Sequence, residues 1–123
     1  MHKGLNVLGT ALEPCCNAPV TGYFRDGYCR TISEDTGTHI VCAVITNDFL
    51  EFTRLKGNDL STPLPYWNFP GLKEGDKWCL CISRWLQAER AGVAPPIILE
   101  AIPETALNYT DIQLLKKYSY KTS

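Results

Sequence analysis

Residues 39–57 read HIVCAVITNDFLEFTRLKG, and this stretch decides what kind of fold the chain can have. Ile40 to Ile45 is an unbroken apolar run, β-branched at four of six positions, the pattern of a strand buried on both faces. Thr46, Asn47 and Asp48 then supply helix-capping chemistry. Phe49, Leu50, Phe52 and Leu55 follow at roughly helical spacing, and Gly57 stands where a helix ends in a glycine. A strand that runs straight into an amphipathic helix is the unit from which mixed folds are built.

The same unit recurs downstream. Gly75-Asp76 turns the chain into an apolar stretch, Lys77 to Ile82. Ser83 offers a cap for a helix carrying Trp85, Leu86, Ala88 and Glu89, which stops at Gly92 before Pro95-Pro96. Ile97 to Leu99 reads as a third short strand leading to Glu100. Thr110-Asp111-Ile112-Gln113 has the form of a capping box, opening a last helix with Leu114, Leu115 and Tyr118. The expectation is an α/β or α+β fold: a small sheet of three to five strands, with core strands near 39–46, 77–82 and 97–100 and helices near 47–56, 84–91 and 110–118. The 82–97 link is long enough to cross over, so the strands it joins could be parallel neighbours. Turn formers crowd the first third (Glu13-Pro14, Asn17, Pro19, Thr21-Gly22, Asp26-Gly27, Thr36-Gly37). Only short strands, near Leu5–Leu8 and Gly22–Arg25, are expected there.

A chain of 123 residues fits one domain, 1–123, and its 45% hydrophobic content suits a packed core. Twelve basic residues against thirteen acidic, with no basic run, argue against nucleic acid and anionic membrane as partners. No apolar run approaches the ~20 residues that span a bilayer. The opening MHKGLNVLGTALEPCC lacks the long apolar core of a signal peptide. A cytoplasmic protein with six reduced cysteines is therefore expected.

The loop after the first helix is the densest in chemistry. Residues 57–81, GNDLSTPLPYWNFPGLKEGDKWCLC, join a polar cluster to a proline-rich loop and a Cys-x-Cys strand. Asn58, Asp59, Ser61 and Thr62 could bind a small polar molecule; the same residue types also build turns. If the strands are parallel, their C-terminal ends would gather Thr46-Asn47-Asp48, Ser83-Arg84 and Glu100 at one sheet edge. Arg84 joins the ligand-binding set on that ground. Cys79 and Cys81, two apart on a strand, share a face. With two more donors from Cys15, Cys16, Cys29 and His39 they could hold a structural zinc, which needs four ligands. Alternatively His39 could activate Cys79 or Cys81 as a nucleophile, oriented by Asp59 or Asn58. Cys42, inside the most apolar run, reads as core. Asp35-Thr36-Gly37 lacks the apolar flank of a protease triplet, no glycine-rich phosphate loop is present, and Trp67, Trp78 and Trp85 read as packing residues. Binding of a small polar ligand leads these readings, ahead of a zinc-held partner-binding module and a thiol enzyme.

The segments Asn6-Val7-Leu8-Gly9-Thr10, Glu13-Pro14-Cys15, Val20-Thr21-Gly22, Arg25-Asp26-Gly27, Gly57-Asn58-Asp59-Leu60-Ser61-Thr62-Pro63, Phe69-Pro70-Gly71-Leu72 and Gly75-Asp76-Lys77-Trp78-Cys79-Leu80-Cys81 together resemble the bacterial domain of unknown function 2237. The likeness runs on through Ala94-Pro95-Pro96 and Leu99-Glu100-Ala101 and so spans nearly the whole chain. It implies a small single-domain bacterial protein and attaches no reaction to it. Cys16 and Tyr28 look like departures from the family pattern.

Overall fold

The computed structural model describes residues 4–15, 27–29, 38–63 and 71–120. Along the chain these form β1 (His39–Val44), α1 (Asn47–Leu55), β2 (Lys77–Cys81), α2 (Ile82–Arg90), 3-10 turns at Leu99–Ala101 and Glu104–Asn108, and α3 (Ile112–Lys117). Thr46 caps α1 as its sequence predicts: its side chain accepts from the Phe49 amide at 3.2 Å. At the other end Gly57 takes φ +89°. Its amide donates to Arg54 O at 3.1 Å and the Asn58 amide to Thr53 O at 2.8 Å, the paired bonds that close a helix in a left-handed turn. Helix α2 ends the same way, with Gly92 donating to Glu89 O and Val93 to Ala88 O.

Two caps differ from expectation. Helix α2 starts at Ile82, with Cys81 rather than Ser83 at the cap position and no side-chain cap bond. Strand β2 passes directly into it, and the Ile82 amide is met by Thr38 O at 3.2 Å. Asp111, not Thr110, caps α3 by accepting from the Leu114 amide at 2.8 Å.

The sheet is smaller than the three to five strands expected, and its strands run the other way. The class is α+β, with β1 and β2 paired antiparallel and His39 opposite Cys81, Cys42 opposite Cys79 and Val44 opposite Lys77. The third expected strand reduces to two bridges at Ile97. One joins it to Ser119, held by Ile97 N to Tyr118 O (2.8 Å) and Tyr120 N to Ile97 O (2.7 Å). The other joins it to Ala43 on the free edge of β1, held by Val44 N to Pro96 O (2.8 Å) and Ile98 N to Cys42 O (2.9 Å). Pro95 and Pro96 have no amide to extend that ladder, and the chain coils at Leu99. The Ile97 segment points the same way as β2, as a crossover requires, but β1 lies between them. The short strand expected near Leu5–Leu8 reduces to bridges at Leu5 and Asn6; the one at 22–25 falls outside the described residues, as do Cys16 and Trp67.

Phe49 of α1, Trp85 and Ala88 of α2, Ile40, Val41 and Ala43 of β1, and Ile97, Ile102 and Leu115 have essentially no exposure and form one core. Trp85 donates from Nε1 to Pro95 O at 3.1 Å and meets Tyr118 edge-on at 5.2 Å. The N-terminal segment is tied down by buried Asn6, whose amide donates to Thr10 Oγ1, Ala11 O and Glu100 O while its oxygen accepts from the Leu8 and Thr10 amides. Two disulfides complete the attachment, Cys15–Cys42 to β1 and Cys29–Cys79 to β2. Four cysteines expected to be reduced are therefore paired. The expectation rested on compartment, which sets whether thiols oxidise, whereas the fold sets which sulfurs lie within bonding reach of each other.

Candidate functional site

Antiparallel pairing decides where chemistry can collect. The start of β1 lies beside the end of β2, so His39 sits across the ladder from Cys81. Helix α2 begins there and delivers Arg84 from its first turn. The glycine turn that closes α1 brings Asn58 and Leu60 to the same end. Between them lies a cleft of about 190 Å³, lined by His39, Asn58, Leu60 and Arg84 and floored by residues 78–81 of β2. A second, shallower groove of about 290 Å³ follows Ser83, Arg84, Gln87 and Arg90 along α2. Arg84 is common to both.

Arg84, Asn58 and Cys81 each have a partner beside the cleft. Arg84 Nη1 donates to Lys56 O at 3.2 Å and to Gln87 Oε1 at 3.5 Å. The first contact places the guanidinium on the carbonyl end of α1, where the helix dipole favours a cation. Asn58 Nδ2 donates to Thr53 Oγ1 at 3.2 Å. Cys81 is half-buried and carries a free thiol, its Sγ 3.0 Å from Ser83 Oγ.

The rest of the 58–63 loop is occupied with itself. Asp59 Oδ1 accepts from the Ser61 amide (2.9 Å), Ser61 Oγ (2.8 Å) and the Thr62 amide (3.3 Å), and Oδ2 from Thr62 Oγ1 (2.5 Å). The Thr62 and Ser61 bonds pull its carboxyl down to about 2 although it is exposed. Asp59, Ser61 and Thr62 form a closed turn that shapes the wall and do not line the cleft. The turn is docked by Leu72 N donating to Leu60 O at 2.7 Å and by Gly71, at φ +81°, lying against the Ser61 carbonyl.

A family model described as an uncharacterised protein conserved in bacteria, domain of unknown function 2237, matches residues 5–119. The chain belongs to that family. The match takes in both disulfides and every residue of the cleft. None of the curated proteins compared with the chain matches it. No described helix of this family member is long and apolar enough to cross a membrane.

In this family member the residues singled out from sequence fall into four groups, of which the self-bonded Asp59, Ser61 and Thr62 turn is one. His39, Asn58, Arg84, Cys79 and Cys81 meet at the cleft. Thr46, Asn47 and Asp48 are at the opposite end of β1, because the strand order that would have gathered them assumed parallel strands. Glu100 is away from the cleft too; its carbonyl serves Asn6 and the Glu13 amide. The sulfurs of Cys15, Cys29 and Cys79 lie within 4.8 Å of one another, and Cys42 is bonded to Cys15. Neither Cys81 nor His39 is in that cluster. Sequence reasoning passed over Cys42, since an apolar run hides a thiol among core residues, and Leu60, which carries no chemical signature.

Proposed function

We propose that this protein binds a small carboxylate-bearing molecule in the cleft between the start of α2 and the end of α1. The observation that carries the reading is convergence. Arg84, His39 and Asn58, from three separate elements, line one concavity, and the amide end of α2 carries no side-chain cap beside them. Guanidinium forks match carboxylates, and an uncapped helix start favours negative charge. Arg90 adds a second cation along the adjoining groove. A volume of about 190 Å³ is below the ~300–1,000 Å³ of drug-sized sites, so the ligand is metabolite-sized. Asn58 selects among carboxylates by hydrogen bonding, and Leu60 and Trp78 give the cleft an apolar side.

A second reading, thiol chemistry on the bound molecule, rests on Cys81. Its free sulfur is in the cleft, across the ladder from His39 and at the head of a helix, the setting in which nucleophilic cysteines are found. Cytoplasmic residence, expected from the sequence, would keep that thiol reduced.

The test is a panel of small mono- and dicarboxylates followed by amide chemical shifts. Binding should move residues 58–60 and 78–84, and Arg84→Gln should abolish the shifts while leaving the melting temperature within a few degrees. Millimolar carboxylates that leave those amides in place would end the binding reading. Rapid alkylation of Cys81, slowed by a bound carboxylate, is the result expected of the second reading; labelling no faster than a free peptide thiol would remove it.

A further inference from the structure

We propose that Cys15, Cys29, Cys42 and Cys79 form a tetrathiolate zinc site when the protein is reduced, and that the two disulfides are the oxidised, metal-free form of the same site. Cys42 and Cys79 face each other from the centres of β1 and β2, so the ladder fixes two donors opposite one another. Cys15 and Cys29 bring the other two from the N-terminal third. Three of the sulfurs already lie within 4.8 Å of each other, with the fourth bonded to one of them. Zinc with thiolates at about 2.3 Å sets neighbouring sulfurs at roughly 3.8 Å in a tetrahedron. Opening two S–S bonds and relaxing the cluster by an ångström or two would reach that spacing without moving β1 or β2. All four residues are at most 5% exposed, as a closed structural site requires, and four sulfurs select zinc over harder ions.

Balance decides what each direction needs. Loading consumes a thiol reductant: two disulfides, four small-molecule thiols and Zn²⁺ give the zinc tetrathiolate, two small-molecule disulfides and four protons. Unloading consumes a peroxide. Two hydrogen peroxide molecules accept the four electrons of the thiolates and, with four protons, leave as four waters, releasing Zn²⁺ and restoring both S–S bonds. In a reducing compartment disulfides do not persist, and zinc is then what keeps the N-terminal third attached to the sheet. Cys81 takes no part, because its thiol is outside the cluster.

The experiment is a cobalt and zinc titration of full-length protein, reduced with a phosphine and desalted without oxygen. One equivalent of Co²⁺ should bind with tetrahedral ligand-field bands and a sulfur-to-cobalt charge-transfer intensity appropriate to four thiolates. Zn²⁺ should displace it. Two equivalents of hydrogen peroxide should release the zinc to a chromogenic chelator, and a non-reducing peptide map should show Cys15–Cys42 and Cys29–Cys79. Cys81→Ser should bind as the wild type does. Reduced wild-type protein with all six thiols titratable and no stoichiometric cobalt would overturn the proposal without any variant having to fold. Loss of uptake in Cys81→Ser would overturn it as well, by moving the metal to the cleft.

Discussion

Removing the disulfides one at a time measures what holds the N-terminal third in place. The rings they close span 27 and 50 residues. Constraint of the unfolded chain grows with the logarithm of ring length, which gives about 3.6 kcal/mol for Cys15–Cys42 and about 4.1 kcal/mol for Cys29–Cys79 at 25 °C. Domains of this size are stable by ~5–15 kcal/mol, so either loss takes a large share. Cys15→Ala with Cys42→Ala, or Cys29→Ala with Cys79→Ala, should lower the melting temperature by about 10–20 °C. Urea unfolding in the presence of a chelator is the assay. The denaturant slope should rise in each variant, because the released unfolded chain exposes more surface. The rings overlap, so whichever bond remains still constrains chain that the other would free, and removing both should cost slightly more than the separate losses combined. A variant that loses under ~1 kcal/mol, with an unchanged slope, would refute the assignment of stability to these rings.

Two further perturbations probe the wall of the cleft. Gly71→Ala places a Cβ 2.5 Å from the Ser61 carbonyl at a φ of +81°; the left-handed backbone alone costs about 1–2 kcal/mol, and the 58–63 turn must shift, so calorimetry should show lost stability and carboxylate binding should weaken. Asp59 is held at about 2 by the Thr62 and Ser61 bonds, so its contribution to the turn is complete above the ordinary carboxylate range and is lost as pH falls toward 2. Protection of the Ser61 and Thr62 amides, taken relative to the free-peptide exchange rate at each pH, should fall over that window and be absent at every pH in Asp59→Ala; unchanged protection in the variant would show that the turn closes without the carboxylate.

The local parts of the fold are legible in the sequence, and the global ones are not. Thr46 and Gly57 announce both ends of α1, because caps and left-handed turns depend on a few adjacent residues. Strand direction leaves no such mark. The apolar runs at 40–45 and 77–82 fit a parallel or an antiparallel sheet equally well, and the parallel choice sent Thr46 and Glu100 to the wrong place. The cleft itself was half visible: Asn58, Arg84, His39 and the Cys79/Cys81 strand were marked by residue type. Asp59, the most conspicuous ligand candidate in the loop, spends its carboxylate on Ser61 and Thr62, and turn-building and ligand-binding sequences look alike until the bonds are seen. The thiols were the least legible, since Cys15 and Cys42 are separated by 27 residues and nothing local distinguishes a paired sulfur from a buried one.

The two cysteine rings interleave: Cys29 falls inside the 15–42 ring and Cys79 outside it. A single peptide-bond cut anywhere between Cys15 and Cys79 therefore cannot divide the oxidised molecule. A break before Cys29 is bridged by the first bond, a break after Cys42 by the second, and a break between them by both. Protease-nicked protein would run as one species on a gel without reductant and as two with it. As long as its sulfurs stay paired, the chain tolerates the loss of its own backbone continuity across half its length.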